Sequence, residues 1–182
     1  IAVFFNEFRK SEKWIRTGIA RIFGEIPNQI YEDGTQIEIS TGYQWLVIDE
    51  LESVYELLKN TTYKQEQVVL LDYLEKMYDL IKHLSRPDGS FPQVNDGFIL
   101  WDISRLEKAG VRHDRGDYIF VGTRGARGKP PEKLSKLFQD SGIFVTRSNW
   151  SKEANYMTFD TGPYGGHHGH EDKLSIEVAC HG

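Results

Sequence analysis

Polar and apolar positions along this chain change period once. Up to about residue 110 the apolar residues recur at helical spacing. Ile15, Ile19, Ile22 and Phe23 fall at i, i+4, i+7 and i+8, and Val47, Leu51, Val54 and Leu58 repeat the stripe at i, i+4, i+7 and i+11. Between them Glu32-Asp33-Gly34-Thr35 reads as a turn, with Ser40 or Thr41 placed to cap the second helix. A third helix is expected over 64–84. It carries two stripes, Leu71, Leu74, Tyr78, Ile81 and Leu70, Tyr73, Met77, Leu80, the mark of a helix packed on both sides. Pro87-Asp88-Gly89 stops it, and a short helix is expected over 100–109.

From about residue 142 the period falls to two. Segments 143–147, 156–159 and 174–178 read as strands between turns. The stretch 121–139, with Gly125, Gly128, Pro130 and Pro131, reads as a connector. Helices first and strands afterwards imply an α+β chain rather than alternating β/α units.

One segment concentrates chemistry. Gly165-Gly166-His167-His168-Gly169-His170-Glu171-Asp172-Lys173-Leu174-Ser175 holds three of the six histidines. Read as a strand, it puts His168, His170 and Asp172 on one face, continued by Leu174, Ile176, Val178 and Cys180, an apolar row expected to face inward. Imidazoles and a carboxylate carried to a buried side must be ligated, paired or used. His167 falls on the opposite, solvated face.

Composition narrows the classes. A length of 182 residues allows one domain or pieces of two, and the net charge of −5 argues against a nucleic-acid binder. An acidic chain can still present a local basic cleft to a polyanionic sugar. The basic run Arg124, Arg127, Lys129 and Lys133 reads as a solvated loop. Cys180 is the single cysteine, so no internal disulfide forms. No apolar run reaches the roughly 18 residues of a membrane span. The chain opens at Ile1 rather than Met and closes as a strand finishes, so an internal piece of a longer protein is expected.

Three motifs in this order resemble the heparinase II/III group of polysaccharide lyases, most closely the heparinase III, heparan-sulfate type. They are Asp33-Gly34-Thr35-Gln36-Ile37-Glu38 followed by Gly42-Tyr43; Arg147-Ser148-Asn149-Trp150 continuing through Ala154-Asn155-Tyr156 to Asp160-Thr161-Gly162-Pro163; and His168-Gly169-His170-x-Asp172-x-Leu174-Ser175. Pro87-Asp88-Gly89, Pro92 and Asn95-Asp96 fit as well. The resemblance implies an incomplete α/α toroid over 1–110, a connector over 111–141, and the first strands of an antiparallel β-sandwich over 142–182.

It also implies β-elimination on a uronic-acid polysaccharide, heparan sulfate favoured, in the periplasm or outside the cell. Such a reaction needs a donor to neutralise the uronate carboxylate, a base for the C5 proton and an acid for the C4 oxygen. By the resemblance Tyr43 and His168 are the acid/base pair, His170 is a ligand of a zinc ion, and Gln36 and Glu38 line or brace the substrate cleft beside Tyr43. Asp172 is either a partner that orients a histidine or a residue that satisfies backbone donors. The neutralising residue would lie upstream of Ile1 and the other zinc ligands beyond Gly182. Gln44 stands where relatives often carry histidine. Rival readings are an alginate or oligoalginate lyase of the same architecture, a non-catalytic glycan-binding protein, and a cupin-type metal enzyme suggested by Gly162 followed by His168-Gly169-His170. The cupin reading lacks a glutamate at the usual spacing and leaves the helical half without a purpose.

Overall fold

The computed structural model describes residues 2–97 and 102–180. Helix α1 (Ser11–Gln29) leads through the Glu32–Thr35 turn to α2 (Thr41–Leu58), which forms an antiparallel hairpin with α3 (Lys64–Leu84). Two short helices follow, α4 (Arg105–Arg112) and α5 (Gly116–Gly122). Four strands, β1 (Ser135–Phe138), β2 (Ile143–Arg147), β3 (Tyr156–Asp160) and β4 (Ile176–Ala179), then form an antiparallel meander in chain order. The chain is α+β, with helices preceding strands.

The expected stripes enter the core in part: Leu51 and Leu58 of α2 are buried, while Ile19, Ile22 and Phe23 of α1 and Val47 and Val54 of α2 pack against it only partly buried. Trp45, Ile48, Leu51 and Leu58 of α2 and Leu70, Leu74, Met77, Tyr78 and Ile81 of α3 are all buried. Trp45 meets Tyr78 and Phe91 edge-on, at centroid distances of 6.1 and 5.9 Å. Both stripes expected on α3 are used: α2 covers one side, while Leu80 and Leu84 sit in the same core as Phe138, Val145 and Tyr156 of the sheet.

The sheet docks on the end of α3 through polar groups. The last carbonyls of a helix have no partner within it. Here Arg147 of β2 donates from Nη2 to the carbonyls of His83 and Ser85, at 2.7 and 2.8 Å, and the Tyr156 hydroxyl of β3 donates to Leu84 O at 2.8 Å. A second clamp joins the Asp33 turn to the β1–β2 turn. The Asp33 carboxylate accepts from the N–H groups of Asp140 and Ser141, and Asp140 accepts from the Asp33 N–H in return. Gly34 is needed in that turn: its φ is +89°, and a Cβ there would collide with the backbone of Lys76.

Four expectations change. Residues 165–175 are not a strand: Gly165 and Gly166 take φ of +77° and +82°, Gly166–His168 forms a 3₁₀ turn, and β4 starts only at Ile176. Glycines that leave the extended region break the alternation, so Asp172 does not join His168 and His170 on a common strand face. The row Leu174, Ile176, Val178 and Cys180 is exposed rather than inward. In β4 it is Glu177 and Ala179 that face in, because Ile176 and Val178 lie opposite Phe159 and Met157 on the outer face of the sheet. The stretch 111–141 holds α5 and β1 as well as loop. Finally, Ser40 is the residue before α2 but its side chain makes no cap bond, and Thr41 instead donates to Pro92 O at 3.0 Å. Of the short helix expected over 100–109, residues 100 and 101 lie outside the described residues and the rest contributes the start of α4.

Charged side chains tie α3, α5 and β1 together. Lys82, almost fully buried, bonds Asp79 at 2.7 Å and Asp117 at 2.9 Å, and Arg115 and Lys136 also reach Asp79. Burial alone would raise the Asp79 carboxyl, but Lys82 and Lys136 outweigh it and hold the group far below the usual carboxylate range. His83 next to it contacts Phe138 and Trp150 edge-on, and burial, with Lys82, Lys136 and Arg147 nearby, pushes its imidazole down to about 3.

A folded pKa below the ordinary histidine value means that the unfolded chain binds more protons between about pH 3 and 6.5. His83 therefore favours folding fully above pH 6.5, and that contribution is lost as pH falls through this window. Two pH units below 6.5 should cost roughly 2–3 kcal/mol. Urea unfolding of the intact protein at pH 7.0 and 4.5 should show the loss, and His83→Phe should flatten it. An unchanged slope in His83→Phe would assign the acid sensitivity to other groups.

Candidate active site

Three segments distant in sequence converge at the start of α2. The first is 36–43, which leads from the Asp33 turn into the helix. Gln44, the fourth residue of α2, fixes its shape: its Oε1 accepts from the Gln36 N–H at 2.7 Å, and its Nε2 donates to Gly34 O and Met77 O. Gln36 is buried, and its Oε1 in turn accepts from the Glu38 N–H at 3.0 Å. Gln36 thus lies behind Glu38 rather than on an open surface.

The second segment is the turn that carries the histidines. Gly165, at positive φ, lets it approach closely: a Cβ there would stand 2.6 Å from Glu38 O. His168 is brought over Tyr43, with ring centroids 3.7 Å apart and planes inclined by 26°. On the other edge of the imidazole, His168 Nδ1 lies 2.9 Å from Glu38 Oε2. A carboxylate only accepts hydrogen bonds, so Nδ1 carries the proton and the lone pair of the neutral ring sits on Nε2. Neither Nε2 nor the Tyr43 hydroxyl has a hydrogen-bond partner among the described residues, and both rings are partly accessible.

The third segment is Asn95-Asp96, in the loop after α3. The Asp96 carboxylate meets His170 Nε2 at 2.7 Å, and its N–H donates to His168 O at 3.2 Å. Asn95 accepts from the His170 N–H at 2.7 Å and donates to Ile39 O at 3.1 Å. A hollow of about 380 Å³ beside His170 is lined by Asp160, Tyr164, Glu171, Asp172 and Lys173 among others. Burial raises the Asp160 carboxyl above its ordinary range, against the opposing effect of the Gly162 N–H bond.

Of the residues singled out from sequence, Tyr43, His168, Glu38 and Gln36 come together, and His170 sits next to them on the far side of Gly169. His167 is exposed, as expected, and Asp172 makes no bond to either histidine. Asn95 and Asp96 were visible only as part of a turn motif, and nothing in their spacing ties them to residues more than 70 positions later.

A zinc ion at His170 requires three or four protein ligands. His170 is paired with Asp96, and among the described residues no group of three or more His, Cys, Asp or Glu could hold a metal ion. The described residues alone do not make a zinc site.

What the arrangement can do is move protons: a phenol and an imidazole stand in contact, the imidazole oriented by a carboxylate. Comparison with known proteins gives this geometry a context. Residues 1–108 match the family described as heparinase II/III N-terminus, and residues 130–182 match heparinase II/III-like, C-terminal. The chain is 30% identical over 185 residues to a heparin-sulfate lyase of Pedobacter heparinus, covering 99% of this chain and 28% of that protein. It is 29% identical over 184 residues to a heparin-sulfate lyase of Bacteroides stercoris, covering 98% and 28%. The crystal structure of the heparan sulfate lyase HepC from Pedobacter heparinus superposes with a TM-score of 0.85 at 30% identity, covering 99% of this chain and 29% of that one. The chain spans under a third of the length of these relatives.

Proposed function

This chain belongs to the heparinase II/III family, and on that premise we propose that it is the part of a polysaccharide lyase that carries the proton-transfer pair. The observation that carries the reading is the Tyr43–His168 stack with Glu38 on the opposite edge of the imidazole. A residue used only for binding sugar has no need of a second titratable ring against it and a carboxylate fixing which nitrogen holds the proton.

The substrate is an acidic polysaccharide containing uronic acid, with heparan sulfate favoured by the names of the relatives. A base removes the C5 proton, the C5–H electron pair forms the C4=C5 double bond, and the C4–O bond breaks. The departing oxygen takes a proton from Tyr43. Whether Tyr43 or His168 Nε2 takes the C5 proton follows from the face of the sugar on which that hydrogen lies, glucuronate and iduronate being opposite in this respect. Glu38 holds the Nδ1 proton and stabilises the imidazolium when His168 is charged. Gln36 keeps Glu38 in place. Neutralisation of the uronate carboxylate, and any zinc ion beside His170, would draw on residues outside these three segments.

We place the reaction in the periplasm or outside the cell, where such polymers occur; no helix among the described residues is long and apolar enough to cross a membrane. The helices would be hairpins of an incomplete α/α toroid and the meander the opening strands of a β-sandwich. Two uncovered apolar surfaces support this. One is a groove of about 700 Å³ along α1 and α2, lined by Phe8, Trp14, Ile19, Ile22, Val54 and Leu58 among others. The other is the outer row Leu137, Phe144, Phe159 and Ile176, aligned across all four strands.

The test is to incubate the full-length protein with heparan sulfate, heparin, hyaluronan, chondroitin sulfate and alginate, and follow the ultraviolet absorbance of the unsaturated uronyl product. Absorbance rising most on heparan sulfate is the expected result. A rise on alginate alone would transfer the reading to an alginate lyase, and glycan binding without absorbance would make the protein a binder.

A further inference from the structure

We infer that Asn95 is a positioning residue that holds His168 in register with Tyr43, an assignment that rests on the proposed lyase reading. The turn that carries His168 is long and weakly tied. Between residues 163 and 171, the only hydrogen bonds to other parts of the described chain run to Glu38, Asn95 and Asp96. The Glu38 bond is the one the chemistry uses, so the remaining three, all from a single dipeptide, set where the turn stands.

Asn95 connects both halves of the site. Its amide nitrogen donates to Ile39 O at 3.1 Å and, more weakly, to Glu38 O at 3.4 Å, just ahead of the helix that bears Tyr43. Its amide oxygen accepts from the His170 N–H at 2.7 Å. Only a side chain with a donor and an acceptor on one short stem spans the two segments in this way. The backbone also selects for it: Asn95 has φ of +52°, a region that asparagine tolerates better than most residues, and it is buried. With Asn95 fixed, Asp96 is carried to His168 O and His170 Nε2, and the turn is gripped on both sides of Gly169. The Asn95 side chain hydrogen-bonds neither Tyr43 nor the His168 ring; it acts by placing the strip of backbone from which His168 projects.

Two substitutions separate the side chain from the backbone. Asn95→Gly keeps the positive φ and removes all three side-chain bonds. Asn95→Asp keeps the acceptor for His170 and loses the donors to Ile39. Each is made in the full-length protein and measured for kcat and KM on heparan sulfate, and for amide hydrogen exchange in peptides covering 163–173 and α3. Displacement of reacting groups by about 1 Å costs on the order of a hundredfold in rate. Asn95→Gly should therefore lower kcat about 100-fold with KM within about threefold. It should speed exchange in 163–173 and leave α3 protected, while Asn95→Asp should retain His170 protection and fall between wild type and Asn95→Gly in kcat.

Wild-type exchange in 163–173 of the Asn95→Gly variant would overturn the assignment. So would loss of protection through α3, because Asn95 would then support the fold at large. If the wild-type protein turns over no polymer, the lyase reading fails on that arm alone, and the exchange arm still decides whether Asn95 holds the turn.

Discussion

Tyr43→Phe in the full-length protein should lower kcat on the polysaccharide by about a thousandfold or more, with KM changed only a few-fold. The substitution removes one hydroxyl and leaves the ring stacked at 3.7 Å on His168, so the geometry of the pair survives while the proton it supplies does not. His168→Ala should cost a similar factor. The two losses should not multiply, because residues acting as one unit show grossly non-additive effects, and the double variant should resemble the worse single one. Glu38→Gln should be milder, on the order of tenfold to a hundredfold, since the amide can still accept from Nδ1 but no longer offsets a charged imidazolium. Glycan affinity, measured by calorimetry, should hold in all three single variants. Retention of more than about a tenth of the wild-type rate in Tyr43→Phe would mean that another group protonates the leaving oxygen.

Much of this was legible along the chain, for a physical reason. Long helices announce themselves through repetition: the twin stripes of 64–84 match α3 (Lys64–Leu84) because both of its sides are packed. β2 and β3 followed from short alternating runs. The histidine turn was misread because an alternating pattern of residue types says nothing of φ, and Gly165 and Gly166 take positive values that no strand tolerates. The outward row of β4 was misread because apolar character implies a covering layer without saying which residues supply it. The pairing of Glu38 with His168 joins residues 130 positions apart, and Asn95 connects residues 56 and 75 positions away on either side. Contacts of that kind leave no periodic trace. The resemblance pointed to Tyr43, His168 and Glu38; the structure adds the bond between Glu38 and His168 and the Asn95 amide that grips the histidine turn.

The largest effect on stability should come from Arg147, far from any chemistry. It opens the second motif, and it is nearly buried with its guanidinium stacked on Trp150 at 3.7 Å and its Nη2 shared between two carbonyls at the end of α3. Burial draws its pKa down to about 10, which leaves it cationic at neutral pH, where it faces the negative end of the helix dipole. Arg147→Ala would leave those carbonyls buried without donors and open space beside Trp150. Hydrogen bonds from a charged donor contribute about 1.5–3 kcal/mol each, and the contact with the helix terminus adds about 0.3–1 kcal/mol. Allowing for partial relaxation, Arg147→Ala should lose roughly 3–5 kcal/mol. Arg147→Lys should recover less than half, because an ammonium cannot lie flat on the indole while forking to His83 O and Ser85 O. Urea unfolding of the full-length variants measures both. A loss below about 1 kcal/mol in Arg147→Ala would show that water replaces the guanidinium at the end of α3, and that the sheet is held there by Tyr156 and the Asp33 clamp instead.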